Sequence, residues 1–227
     1  MKRVLMVFLK EPRPGMVKTR LARSVGPQAA AELYRILAEE EVRRTVPREG
    51  EYERLFFYAP RGAAAALTAW FPGETYVPQV DGDLGRRMAQ AFATAFEGGA
   101  ERVAIIGSDV PWVSRDHVLQ AFELLDEHAV ALGPTTDGGY YLLALGHPRP
   151  ELFDGVAWST PEVLPETLER AAARGWPVGQ LERLSDVDTL DDVRREWRRL
   201  RPLLAGLTPE RRAAWERYVS PGRCASS

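Results

Sequence analysis

The order of apolar runs predicts an α/β protein with three α/β/α layers around a mostly parallel, mixed sheet. Two observations carry that reading. Short β-rich apolar runs alternate with helical patterns of 3.6-residue period along the chain. Turn-forming clusters such as Gly107-Ser108-Asp109 and Asp137-Gly138-Gly139 follow or link strand-like runs. In open α/β sheets, ligands bind in crevices at the carboxyl ends of strands.

The first strand is Arg3–Leu9, which Pro12, Pro14 and Gly15 terminate. Pro27 opens a helix with Ala30, Leu33 and Leu37 on one face. Tyr52–Tyr58 reads as a strand, Ala63–Trp70 as a helix and Thr75–Val77 as a short strand. Leu84–Phe96 is helical, with Met88, Phe92 and Phe96 in register. Arg102–Ile106 is a strand and Ser114–Glu127 a helix. Ala129–Gly133 and Tyr140–Leu145 are strands, Thr160 caps a helix that starts at Pro161, and Pro177–Leu181 is a late strand. Helices are expected over Thr189–Leu204 and Thr208–Val219. We expect residues 1–204 to form one α/β domain, with residues 205–227 as a helix and tail packed on it.

Composition narrows the functional classes. The chain has 227 residues, 45% of them hydrophobic, and a formal net charge of −2 with both signs interleaved. Neither a nucleic-acid footprint nor a membrane-binding arm is visible, so any anion site must be local. No run is long enough to span a membrane, and the apolar run Val4–Leu9 is too short for a signal peptide. A cytoplasmic location is expected. The single cysteine, Cys224, excludes disulfides within the chain and lies in a small-residue tail unsuited to catalysis. Asparagine is absent, which fits either a hot source or codon bias. Three histidines, His117, His128 and His147, are scattered without zinc spacing.

Four constellations carry chemistry. The first is Lys10-Glu11-Pro12-Arg13-Pro14-Gly15-Met16-Val17-Lys18-Thr19-Arg20-Leu21, directly after the first strand. Only three of the 30 basic residues are lysines, and two of them, Lys10 and Lys18, flank this loop. A compact ammonium suits a phosphate differently from a planar guanidinium. Gly15 permits close backbone approach, Thr19 offers a hydroxyl, and Lys18 and Arg20 supply charge; a solvated basic turn is the alternative. The second is Gly107-Ser108-Asp109-Val110-Pro111, whose carboxylate projects from a strand end as a ligand for Mg²⁺ or Mn²⁺, or else bonds its own turn. The third is Gly133-Pro134-Thr135-Thr136-Asp137-Gly138-Gly139-Tyr140-Tyr141. There Asp137, Gly138 and Gly139 either face a substrate or simply make a tight turn. The fourth is Ser185-Asp186-Val187-Asp188-Thr189-Leu190-Asp191-Asp192. Thr189 and Asp192 form a capping pair, which frees Asp188 to serve as a second metal ligand, with Asp137 as the alternative. Trp158 is the tryptophan best placed to wall a substrate, against the commoner role of a core residue.

Together these motifs resemble the nucleotide-diphospho-sugar transferase superfamily with the GT-A fold. The pattern is most similar to a bacterial glycosyltransferase family of the arsenosugar-biosynthesis type, and all four motifs occur in order between Met1 and about Leu200. The layout is also similar to 2-phospho-lactate and molybdenum-cofactor guanylyltransferases. The resemblance implies that Lys18 and Arg20 contact donor phosphates, with Lys10, Gly15 and Thr19 completing the loop. It implies that Asp109 binds metal. The Asp188-Thr189 pair resembles that of CMP-sugar-acid synthetases, which implies a second metal ligand at Asp188. Lys18 and Asp109 are thus the expected catalytic pair. The Leu-x-Gly-Gly loop of typical nucleotidyltransferases is replaced by the proline loop, so no base contacts follow. The implied partners are a nucleotide or nucleotide-sugar donor and a small-molecule acceptor. Glycosyl transfer and nucleotidyl transfer with release of pyrophosphate both fit; a non-catalytic nucleotide-binding module ranks lower. The oligomeric state stays open, a dimer included.

Overall fold

The structure is a computed structural model and describes residues 1–220. Cys224 lies outside the described residues. The strands are β1 (Arg3–Lys10), β2 (Glu53–Ala59), β3 (Thr75–Pro78), β4 (Arg102–Ile106), β5 (Val130–Pro134), β6 (Tyr140–Leu145) and β7 (Val178–Gln180). They form a seven-stranded sheet in the order β3-β2-β1-β4-β6-β5-β7. Only β6 runs antiparallel to its neighbours. The fold is the expected mixed, mostly parallel α/β/α arrangement.

The pleat of β1 shows how the layers arise. Leu5, Val7 and Leu9 point into one buried cluster, and Val4 and Met6 into the other. The first cluster is capped by α1 (Thr19–Val25), α2 (Pro27–Arg44), α3 (Ala64–Trp70) and α5 (Arg115–Leu124). The second is capped by α4 (Leu84–Glu97) and α6 (Val163–Ala173). A strand buried on both faces needs a near-continuous apolar run, which β1, β4 and β6 have.

Three local expectations need correction. The first loop does not run unbroken to Leu21, because Thr19 and Arg20 open the separate helix α1. The helix expected from Pro161 starts later, at Val163: Thr160 Oγ1 accepts from the Glu162 N–H at 3.3 Å and donates to the Ala157 carbonyl at 2.6 Å, so it closes the turn before α6 rather than sitting at the N-cap. The helix expected over Thr189–Leu204 is broken into α7 (Leu190–Arg195), α8 (Trp197–Leu200) and a 3₁₀ turn over Arg201–Gly206. Pro202 lacks an N–H, so it cannot donate the hydrogen bond that would continue α8.

The last helix, α9 (Pro209–Val219), is capped by Thr208 as expected. Trp215 is 1% exposed within the first cluster, and Tyr218 Oη donates to the Val25 carbonyl at 3.3 Å. The proposed division at residue 204 therefore has a direct test. Truncating a buried aromatic costs about 3–5 kcal/mol. Trp215→Ala is expected to lower the Tm by roughly 10 °C in one cooperative transition, since a domain of this size shifts by about 2–4 °C per kcal/mol. An unchanged calorimetric Tm would show that α9 adds nothing to the core.

Candidate active site

The site sits where the strand order reverses. β1 lies between β2 and β4 and runs parallel to both. The register pairs Val7 with Ile106, so Lys10 at the end of β1 and Gly107-Ser108-Asp109 after β4 emerge at one sheet edge. Such a switch point opens a crevice between the diverging loops. Gly15 has φ +80°, and the space a side chain would enter there is empty. Met16 is exposed and Val17 buried, which pins the far end of the loop to the core.

Lys18 follows in a left-handed conformation (φ 47°, ψ 45°) immediately before α1. For a residue with a Cβ this costs about 1–2 kcal/mol. The turn carries its side chain inward, where it is 1% exposed. The alternative of a solvated basic turn is thereby excluded for Lys18. Its Nζ lies 2.6 Å from Asp109 Oδ1 and 3.6 Å from Asp188 Oδ1. Arg20 Nη1 lies 3.1 Å from Asp188 Oδ2 and is largely exposed. Burial pulls the Lys18 ammonium down, but the charges of Asp109 and Asp188 outweigh it and leave its pKa raised. Conversely, desolvation raises the Asp109 carboxyl, and the Lys18 charge overcomes that and holds it below the usual carboxylate range. Lys10 is exposed and adds a weaker positive field at Asp109.

Asp188 comes from a distant part of the chain. Beyond β5, Thr135 bridges to Leu184, and Thr136 N–H donates to the Leu184 carbonyl at 3.0 Å. The segment 185–188 is thus laid along the sheet edge. Thr189 and Asp192 form the expected reciprocal cap, and the Asp188 carboxylate is left facing Lys18. The same segment brings in Asp186, which the sequence reading passed over. Burial, then the charges of Asp137 and Asp192, push its carboxyl up to about 6.

In the turn between β5 and β6, Asp137 spends one oxygen on its own backbone and neighbours. Oδ1 accepts from Thr135 Oγ1 at 2.5 Å and from Gly139 N–H at 3.1 Å. Gly138 has φ +94°, and a Cβ there would lie 2.2 Å from the Pro161 carbonyl oxygen, so only glycine fits. Trp158 is half-buried, stacks on Phe153 and lies against Gly85 at the start of α4. It packs at the edge of the second cluster.

With this geometry in view, the chain can be set beside known proteins. A family model described as "Uncharacterized protein conserved in bacteria (DUF2064)" matches residues 42–160, just over half of the chain. The chain belongs to this family. The match spans Asp109 and Asp137 but neither Lys18 nor Asp188. A candidate nucleotide-diphospho-sugar transferase from Desulfovibrio desulfuricans G20 is 31% identical, with TM-score 0.81 over 95% of this chain and 94% of that one. A CMP:2-keto-3-deoxy-manno-octonic acid synthetase, solved with CTP, is 15% identical, with TM-score 0.54 over 88% and 99%. Rv0371C from Mycobacterium tuberculosis H37Rv, solved with manganese, is 16% identical, with TM-score 0.53 over 86% and 97%. At those identities the last two establish the fold alone. Comparison with curated proteins gives no match.

The donor chemistry of this DUF2064 site fits a hard divalent cation. Asp109 and Asp188 each lie within salt-bridge distance of the same ammonium. Their oxygens are therefore no more than about 6.2 Å apart, against the roughly 5.2 Å that two metal–oxygen bonds of up to about 2.6 Å can span, so a side-chain movement of about 1 Å lets them share an ion. No group of three His, Cys, Asp or Glu is arranged for metal among the described residues. One or two carboxylates completed by substrate phosphates and water is the pattern that suits Mg²⁺.

Two residues on α2 brace the site, and neither was anticipated. Tyr34 Oη accepts from Lys10 N–H at 2.9 Å and shares a 2.9 Å hydrogen bond with Ser108 Oγ. Two turns on, Glu41 Oε2 accepts from Val110 N–H at 3.2 Å, while its Oε1 is buried with no partner. Both neighbours of Asp109 are thus held by one helix. Glu41 could have been suspected, because a carboxylate falls on the apolar stripe of Ala30, Leu33 and Leu37.

Burial, and then the Asp109 charge, push the Glu41 carboxyl well above its usual range, against the pull of the Val110 N–H. A folded pKa above the unfolded value gives stability that is complete below the unfolded pKa and is lost as pH rises through the folded one. Glu41→Gln keeps the acceptor for Val110 but does not titrate. Its Tm relative to wild type is expected to climb between about pH 5 and pH 8 and to exceed wild type at the upper end. Parallel Tm profiles would contradict a raised Glu41.

Proposed function

We propose that this chain is a metal-dependent transferase that takes a nucleotide donor, with glycosyl transfer from a nucleotide sugar as the favoured reaction. The observation that carries the reading is the Lys18–Asp109–Asp188–Arg20 cluster at the switch point. Two cations of the kind that grip phosphate are interleaved there with two carboxylates of the kind that ligate a hard metal ion. The name of the Desulfovibrio relative supports a nucleotide-sugar donor. The CTP and manganese of the more distant structures are compatible with the same parts. Within this reading the motif likeness to the arsenosugar-type glycosyltransferases and to guanylyltransferases marks the finer candidates. Nucleotidyl transfer is the second reading, favoured by the lysine-bearing loop before α1.

Asp109 and Asp188 would hold the metal ion, which supplies positive charge to the donor phosphates. Lys18 and Arg20 would bind the same phosphates from the protein side, with Lys10, Gly15 and Thr19 along the loop. Charge leaving with the nucleoside di- or pyrophosphate is then met by fixed cations that need no reorganisation. Asp137, Gly138, Gly139 and Trp158 would face the acceptor. Asp186 stands beside Asp137 and can accept a proton from an acceptor hydroxyl.

Incubation with Mn²⁺, nucleoside triphosphates and nucleotide sugars, with identification of the leaving group, separates the reactions. Pyrophosphate marks nucleotidyl transfer, and a nucleoside diphosphate marks glycosyl transfer. Asp109→Asn is expected to remove metal-dependent turnover by a factor of about 100 or more. Because Asp109 pairs with buried Lys18, the same substitution is also expected to cost about 1–3 kcal/mol of stability. Full turnover in Asp109→Asn would dismiss the assignment.

A further inference from the structure

The four charges nearest one another at the site cancel. Asp109 and Asp188 contribute two negative charges, and Lys18 and Arg20 lie against them with two positive ones. The Lys18 side chain is 1% exposed, whereas Asp109 is 55% and Asp188 32% exposed. The Lys18 Nζ has no hydrogen bond of good geometry, so charge rather than directed bonding holds it between the carboxylates. A buried ammonium beneath two reachable carboxylates is a resident cation at the place where a divalent ion would bind.

We propose that Lys18 and Arg20 are intramolecular competitors of the metal, so that the site takes up free divalent ions poorly and admits them only with a polyphosphate. The proposal rests on the reading of Asp109 and Asp188 as metal ligands. A dication within about 4–5 Å of an ammonium and a guanidinium is repelled by both, and that repulsion is weakly screened where one partner is buried. Arriving phosphates reverse the balance. They bring several negative charges, offer Lys18 and Arg20 alternative partners, and supply oxygen ligands of their own. The two cations therefore act in opposite senses on the two ligands: they strengthen phosphate binding and weaken metal binding. The left-handed backbone of Lys18 keeps its ammonium directed inward in the absence of any ligand.

The sign of this effect is unusual and gives the test. Mn²⁺ binding is measured by electron paramagnetic resonance at pH 7.5, with and without inorganic triphosphate, on wild type, Lys18→Met, Arg20→Met and the double variant Lys18→Met/Asp109→Asn. Without triphosphate, Lys18→Met is expected to bind Mn²⁺ at least ten-fold more tightly than wild type, and the double variant to lose that gain. Arg20 is exposed and its replacement does not disturb the core, so Arg20→Met keeps the test valid if Lys18→Met fails to fold. Its expected gain is about three-fold or more. With triphosphate, wild type is expected to bind Mn²⁺ tightly and Lys18→Met to bind triphosphate more weakly. Free-Mn²⁺ affinities of the folded single variants equal to or below wild type would overturn the proposal. A wild type that takes up no Mn²⁺ even with triphosphate would instead remove the metal-dependent reading beneath it.

Discussion

The burial of one ammonium constrains the rest of the site. An ion of this size is costly to take out of water, by several kcal/mol even after relaxation, unless opposite charges accompany it. Lys18 meets that requirement with Asp109 from the end of β4 and Asp188 from the segment before α7. Three segments distant in sequence are thereby tied to one nitrogen. The left-handed turn at Lys18 follows from the same demand. A right-handed residue there would carry α1 on a different course and the side chain away from the crevice.

The sheet supplies the frame for this contact. Parallel pairing of β1 with β4 sets Lys10 and Asp109 at one edge, and the bridge from Thr135 to Leu184 brings Asp186 and Asp188 to it. Helix α2 then fixes the loops themselves, with Tyr34 on Lys10 and Ser108 and Glu41 on Val110. Buried polar residues on an otherwise apolar helix face are costly, and here each holds a loop that carries site charge. Rigid elements thus gather the charged groups at one place on the sheet edge, which favours electrostatic catalysis of group transfer.

Much of the fold was legible because it is written in local periodicity. The bounds of β4 and β6 were read to the residue, since apolar runs flanked by charge or glycine leave little freedom. Asp188 was correctly freed from capping duty, because the Thr189–Asp192 pair is a short-range signal. What failed was longer in range or less typed. The left-handed Lys18 has no glycine to announce it, so α1 was merged into the loop. The breaks after Arg195 and at Pro202 were hidden by a helical pattern that continues through them. Asp186 was overlooked because its raised carboxyl comes first from burial and then from Asp137, some fifty positions earlier in the chain, and from Asp192. The burial of Lys18 was equally invisible, although its scarcity among arginines marked the position.

Asp109 and Asp188 share one ammonium, and under the proposed function they share a divalent ion beside a bound nucleotide. Anomalous diffraction from crystals soaked with Mn²⁺ and a nucleoside triphosphate tests this sharing most directly. The account predicts one strong peak within about 2.0–2.6 Å of an oxygen of each carboxylate, with the Lys18 Nζ moved onto a phosphate oxygen. A peak bound by Asp137 or Asp186, with Lys18 still seated between Asp109 and Asp188, would contradict it.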